Sequence, residues 1–477
     1  MQFYVQQLLL SNEYNQNQMP NLPRRGFLKN IAAGASSAGL LLAATRRPNI
    51  LYIHSHDTGR YVQPYGHPVP APNLQKLAEG GVLFRKAFNA APTCSPSRAA
   101  LLTGTCPHNN GMFGLAHRGF SLDDYSQHIL HSLRTVEYRS ALIGIQHIAR
   151  DPSLIGYDEV VKTASTRAEH VAPAAVQYLK NAPKHPFFLD VGFFETHREF
   201  HPAGPKEDAR YCQPPAPIPD TPGTRKDIAE FKASARVLDT AIGDVLTALE
   251  SSGLANNTLV VCTTDHGIAF PAMKCNLQDH GMGVMLMMRG PGVFSGGKVC
   301  DAMVSQLDLF PTLCEIAEVR PPARLQGRSF LPVLLGAKAE INDEIFAEVN
   351  YHAAYEPKRA ARTQRWKYIR HYGDRHQPVL PNCDDGLSKD LWLEMGWRNQ
   401  QVPAEHLYDL VFDPNETRNL IGDNAAAGAV KEMRTRLEGW MQRTNDPILK
   451  GPIKAPAGAK ANDPNGTSPK ETPADVA

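Results

Sequence analysis

The chain has 477 residues, with 50 Lys and Arg against 48 Asp and Glu and a formal net charge of +2. Charges that nearly cancel leave no electrostatic footprint for a nucleic-acid partner, so any selectivity for anions has to be local. Apolar residues at 42% and charged residues at 21% are ordinary for a soluble globular protein, and a chain this long is expected to form one large domain with a smaller companion, because single cores stop growing beyond roughly 250 to 300 residues.

In chain order, Arg24-Arg25-Gly26-Phe27-Leu28-Lys29 is followed by an uncharged stretch, 31–44, rich in Ala, Gly, Ser and Leu. Residues 1–45 therefore read as a twin-arginine export signal with a small-residue cleavage region near Ala43 and Ala44, and Met19 as the preferred start. The apolar part is shorter than the about 20 residues of a membrane span. Export to the periplasm or beyond is expected, without stable membrane insertion. Four short apolar runs, 49–54, 140–143, 187–191 and 258–263, have strand character.

Cys94-Ser95-Pro96-Ser97-Arg98 leads into Ala99-Ala100-Leu101-Leu102 and stops at Thr103-Gly104, which predicts a short buried helix with a glycine stop. Ser95 and Ser97 are its candidate N-caps, and Pro96 suits the first turn. Cys94 then lies at a helix N-terminus, where free N–H groups and the dipole favour negative charge. The proline-rich stretch 201–224 is either a substrate-shaping loop or a stiff connection. After it, Ile228, Phe231, Ala235, Leu238, Ile242, Val245 and Leu249 recur at helical spacing before Gly253.

Strands alternating with helices predict an α/β fold with a mainly parallel sheet and its chemistry at the carboxyl ends of the strands. His56, Asp57, His147, His197, Asp265 and His266 all follow predicted strands. Residues 46–339 are assigned to the catalytic domain and 340–445 to a smaller one, where 345–349 and 366–370 look like strands. The tail 446–477, with little to bury, is expected to be disordered. Eight cysteines without a CxxC pair indicate neither a zinc ribbon nor a thioredoxin motif.

Hard cations prefer carboxylate oxygens, which makes Asp57 and Asp265 the natural ligands for calcium or magnesium. The run from Cys94 to Gly104 resembles the signature of the type I sulfatases. Arg47-Pro48-Asn49-Ile50-Leu51, Thr264-Asp265-His266-Gly267, and Leu407-Tyr408-Asp409-Leu410 with Asp413-Pro414-Asn415-Glu416 are similar to further stretches of that family, in the same order. Asn110-Gly111-Met112-Phe113-Gly114-Leu115 and Gly267-Ile268-Ala269-Phe270-Pro271 look most like the sulfamidase subgroup.

The resemblance implies an alkaline phosphatase-like fold, with a large mixed sheet between helices and a small C-terminal antiparallel sheet. It also implies that a maturation enzyme oxidises Cys94 to formylglycine. One hydroxyl of the hydrated aldehyde then attacks sulfur, and the other expels sulfate. On the same basis Asp57, Asp265 and His266, with Cys94, make up the metal site, most simply for Ca2+, and His56 is a candidate member that either replaces a usual ligand by imidazole or leaves it lost. Arg98 stabilises the hydrate, His147 and His197 contact the sulfate or leaving group, and Lys274 binds a sulfate oxygen. The implied substrate is a sulfated oligo- or polysaccharide such as a glycosaminoglycan, with O- and N-sulfate both open.

Two positions depart from the family pattern. His56-Asp57 stands where two aspartates are usual, and Gly144-Ile145-Gln146-His147 lacks the usual lysine, leaving Gln146 as a neutral donor. A reduced metal set would also suit a phosphomonoester or phosphonate hydrolase of the same fold, and a chain short of these groups could bind sulfated glycans without turnover. His108 and His352 lie in motifs near the expected pocket, and Glu195 and Arg198 flank His197 as buttresses.

Overall fold

The computed structural model describes Arg47–Val476, so the expected export signal lies outside the described residues. Eight strands form the main sheet: β1 (Asn49–Ser55), β2 (Val82–Phe88), β3 (Arg139–Gly144), β4 (Glu159–Val161), β5 (Phe187–Gly192), β6 (Thr258–Thr264), β7 (Leu286–Arg289) and β8 (Lys298–Ser305). Their order is β4-β3-β5-β1-β6-β7-β2-β8, and only β7 runs antiparallel to its neighbours. Every residue of β1, β5 and β6 is buried, as expected for central strands covered on both faces. Along β1, Leu51 and Ile53 face the helices Ala168–Lys180 and Pro222–Ser251. Ile50 and Tyr52 face the helices Cys94–Thr103 and Leu309–Ile316. The alternation is the period of two of a strand.

The helix Pro222–Ser251 starts six residues before its apolar repeat, because Thr221 and Thr224 cap each other's backbone N–H groups and Pro222 opens the first turn. In the preceding proline-rich stretch, Cys212 and Ile218 pack against Ile228 and Phe231 of this helix. The helix Cys94–Thr103 is buried along its whole length and ends at Gly104 with φ 69°, a left-handed conformation that glycine adopts without strain. Its N-cap is Thr93, not Ser95 or Ser97. The Ser95 hydroxyl instead accepts from the Ala116 N–H at 3.0 Å, and the Ser97 hydroxyl donates to the Asp265 carbonyl at 2.6 Å. Pro96 still falls in the first turn, where its missing N–H costs nothing.

The second sheet is antiparallel, ordered β12-β11-β10-β9, from β9 (Ile345–Tyr351), β10 (Tyr355–Arg362), β11 (Trp366–His371) and β12 (Glu405–Asp409). It shares a core with the first, since Ala361, Tyr368 and Leu407 join the apolar cluster that holds Ile50 and Phe84. Arg362 and Lys367 both reach Asp279 at 2.8 Å, while Asp409 pairs with Arg365 at 2.8 Å and Glu416 accepts from the Asp279 N–H. The C-terminal motif thus fastens the two sheets together.

The tail expected to be disordered is packed. Ile448, Ile453, Ala459 and Ala461 are buried, and the strands Lys460–Ala461 and Ala474–Asp475 pair. Its poverty in apolar residues is offset by donors from the body: Lys389 reaches the Thr467 carbonyl at 2.7 Å, and Arg375 reaches Asn465 at 2.7 Å. Composition counts buried apolar surface and does not register such bonds. Among the described residues, no helix is long and apolar enough to cross a membrane.

Candidate active site

Two strand ends and one helix start meet at the carboxyl edge of the main sheet. β1 delivers His56 and Asp57, β6 delivers Asp265 and His266, and Cys94 is the first residue of its helix. Asp57 has a left-handed backbone, φ 51°, stabilised where its N–H donates to Asp265 Oδ1 at 2.9 Å. The His266 N–H donates to the same oxygen at 2.9 Å. All five side chains are buried.

Ligand atoms of His56, Asp57, Cys94 and Asp265 lie within 4.8 Å of one another. His56 Nδ1 is 3.2 Å from Asp265 Oδ2 yet out of hydrogen-bond alignment. Both His56 ring nitrogens and Asp57 Oδ1 are buried without a partner. Orphaned buried polar atoms are costly, and a divalent cation would satisfy Asp57 Oδ1 and one of the two ring nitrogens. Burial and the nearby Arg98 charge push His56 well below its ordinary pKa, so its imidazole is neutral and free to ligate. Burial pushes the Asp265 carboxyl up, but its neighbours, the Arg98 guanidinium among them, outweigh it and hold it well below the carboxylate range. The donor set fits a cation, with an imidazole beside the oxygens that hard cations prefer.

Cys94 Sγ lies 3.3 Å from His266 Nε2. His266 Nδ1–H donates to the Gly267 carbonyl at 3.0 Å, which leaves Nε2 to accept from the thiol. Burial pushes that thiol well above its ordinary value, against the lowering effect of Lys274. One turn on, Arg98 donates to the Ser55 carbonyl at 2.8 Å, to Asp265 Oδ2 at 3.0 Å, and to His54. His54 in turn meets Asp190 at 2.8 Å. Arg98 thus acts on the pocket through Asp265.

Lys274 is buried between Asp57 and Asp384, with Nζ 2.8 Å from a carboxylate oxygen of each and 3.4 Å from His197 Nε2. Burial pushes its ammonium down, but Asp384 and Asp57 outweigh it and hold the pKa well above its usual value. His147 also has a left-handed backbone, and its ring stacks on His117 with Nε2 3.0 Å from His117 Nδ1. Burial, then His117, lowers its pKa well below normal. Cys94, His117, His147, His197, His352 and Asp384 all line a cavity of about 220 Å³.

Sequence reasoning missed Asp384 and His117. Neither lies in a periodic segment, and Asp384 carries no signal beyond being an acid in a Pro/Asn/Gly-rich loop. Gln146 is not available as a neutral donor to sulfate, because it is folded back on its own loop. Its Nε2 donates to the Ala149 carbonyl at 2.6 Å, and its Oε1 accepts from Ile148 and Ala149. His108 lies outside the pocket, bound to Glu348 at 2.6 Å. None of the residues lining this cavity comes from 201–224. Glu195 accepts from the Ala168 N–H at 2.9 Å and Arg198 grips Asp227 at 2.7 and 2.9 Å, which holds the loop that carries His197.

The eight-stranded mixed sheet between helices, with a separate four-stranded antiparallel sheet, is the alkaline phosphatase-like fold that the resemblance implies. A family model described as "Sulfatase" matches residues 48–319, and another, "N-sulphoglucosamine sulphohydrolase, C-terminal", matches 273–383. The chain belongs to the sulfatase family, as a sulfuric ester hydrolase or sulfamidase. It is 28% identical to human N-sulphoglucosamine sulphohydrolase, with 86% of this chain and 93% of that one covered. It is also 28% identical to an ulvan-active sulfatase of Formosa agariphila, with 87% and 84% covered. A solved 2-O GAG sulfatase superposes with a TM-score of 0.68 at 21% identity, over 90% of this chain and 97% of that one.

Proposed function

We propose that the protein, once exported, removes sulfate groups from a sulfated carbohydrate, using a formylglycine made from Cys94 by a maturation enzyme and a divalent cation, most simply Ca2+, held by Asp57, Asp265 and His56 with His266 beside them. The observation that carries this reading is the set of orphaned atoms, His56 Nδ1 and Nε2 and Asp57 Oδ1, facing Cys94. The cation, when bound, neutralises the sulfuryl oxygens and the hydrate would supply the attacking oxygen.

The chain's own residues do the rest. Cys94 as a buried thiol with a raised pKa is a poor nucleophile in its genetically encoded form, so the reading needs the aldehyde in its place. Lys274, fixed between Asp57 and Asp384, brings a permanent positive charge to the wall where sulfate oxygens would lie. His197, partly exposed beside Lys274, stands on the solvent side, where the alcohol or amine would depart. The stacked pair His117 and His147 lines the same cavity, where it would contact the sulfate or leaving group.

Protein co-produced with a formylglycine-generating enzyme should carry the aldehyde at Cys94 by peptide mass analysis and should release sulfate from glycosaminoglycan or algal oligosaccharides. A persistent thiol with undiminished turnover overturns the mechanism. Faster cleavage of aryl phosphonate than of aryl sulfate would instead mark a phosphonate hydrolase. Glycan affinity that survives Cys94→Ala, with no sulfate released from any substrate, would mark a binder.

A further inference from the structure

The packed tail reaches the pocket. Pro469 and Lys470 line the same cavity as Cys94, far beyond the matched regions that end at 319 and 383. The tail is bolted to other residues of the cavity wall. Arg118 donates to Asn462 Oδ1 at 2.5 Å and to the Pro469 carbonyl at 3.1 Å. The Asn462 N–H donates to the Ala353 carbonyl at 2.7 Å, and Ser468 bonds Asp385. With its backbone fixed at these points, Lys470 projects at the mouth, where Nζ is 2.6 Å from Glu199 Oε1, two residues past His197.

The other cations lining the cavity are engaged. Arg118 is committed to the tail and Arg198 to Asp227. Lys470 and Glu199 have side chains 70% and 78% exposed, and an ion pair between such exposed groups is weak and easily exchanged. We propose that Lys470 is a specificity-determining residue that exchanges Glu199 for a second anionic group on the substrate, a carboxylate or another sulfate, outside the sulfate being removed. A long flexible ammonium suits that role, since it meets an anion as a point charge in several orientations. This rests on the reading of the protein as a hydrolase of sulfated carbohydrate.

The test uses formylglycine-bearing full chain and four probes: an aryl sulfate, glucosamine N-sulfate, glucosamine 2-N,6-O-disulfate, and a disaccharide with one sulfate and one uronate. Lys470→Ala is expected to raise KM a few-fold for one or both doubly anionic sugars, with kcat unchanged and no effect on the aryl sulfate. The sugar affected tells sulfate from carboxylate. Lys470→Arg should restore KM, and Glu199→Gln should lower it a few-fold for the same sugar. An unchanged KM in Lys470→Ala, or an equal rise for every probe, overturns the proposal. A wild type that turns over sugars while Lys470→Ala matches it sinks this inference alone; a wild type that desulfates none of the probes sinks the functional reading and the inference with it.

Discussion

Two buried clusters in this protein look alike by spacing and differ in kind. His56, Asp57, Cys94 and Asp265 form one; His108, Glu348 and Asp446 form the other, and in both the ligand atoms lie within 4.8 Å of one another. The second already contains its cation. Arg359 donates to both Asp446 oxygens at 2.6 and 2.9 Å and lies 3.4 Å from Glu348, which also takes His108 Nδ1 at 2.6 Å. In the first, Arg98 and Lys274 occupy one oxygen each of Asp265 and Asp57, and Asp57 Oδ1 and both His56 nitrogens stay unpartnered. Metal-compatible spacing alone therefore does not identify a metal site. Three orphaned buried atoms in the first cluster against one, His108 Nε2, in the second favour the first.

The comparison breaks first at the nucleophile. Cys94→Ala should cost on the order of 10³-fold or more in turnover while the thermal melt stays close to that of the unmodified chain, because the side chain carries the chemistry and little packing. A variant that melts early instead would make Cys94 structural. Arg359→Met should do the reverse. Removing one partner of a buried ion pair costs about 3–5 kcal/mol, read as a lower denaturant midpoint, whereas the turnover of the molecules that remain folded is preserved.

Cation addition sharpens the contrast further. At roughly a hundredfold excess over its dissociation constant, Ca2+ should add about 3 kcal/mol of stability to the wild type. The gain should vanish in Asp57→Asn and persist in Arg359→Lys; a gain that persists in Asp57→Asn would move the cation elsewhere.

The smallest effect is acid sensitivity of the second cluster. Burial pushes the Asp446 carboxyl up, but Arg359 outweighs it and holds the pKa below its ordinary value. A depressed folded pKa contributes stability that is present above the unfolded value near about 4 and is lost as the pH falls through the folded one. Unfolding midpoints should decline below about pH 4, and less steeply in Asp446→Asn than in the wild type.

Much of the fold was legible because central strands buried on both faces are apolar runs: 49–54, 187–191 and 258–263 fall within β1, β5 and β6. β2 and β8 escaped notice because an exposed or polar face interrupts them, at Arg85 and Lys86 in β2 and at Lys298 and Asp301 in β8. The helix Cys94–Thr103 and its Gly104 stop were readable for the same local reason. Its caps were not, since Ser95 and Ser97 bond to residues distant in the chain.

The sequence by itself determined which segments are strands and helices at the centre, and that Asp57, Cys94, Asp265 and their histidines follow strand ends or start a helix, because backbone preference and burial pattern are properties of neighbouring residues. Only the tertiary structure decided that Lys274 meets Asp384, that His117 stacks on His147, that Gln146 turns away, and that Lys470 of a polar tail stands at the pocket mouth. Those pairings join residues far apart in the chain, and which side chains meet is set by how the sheets, loops and tail pack, a choice that no local pattern encodes.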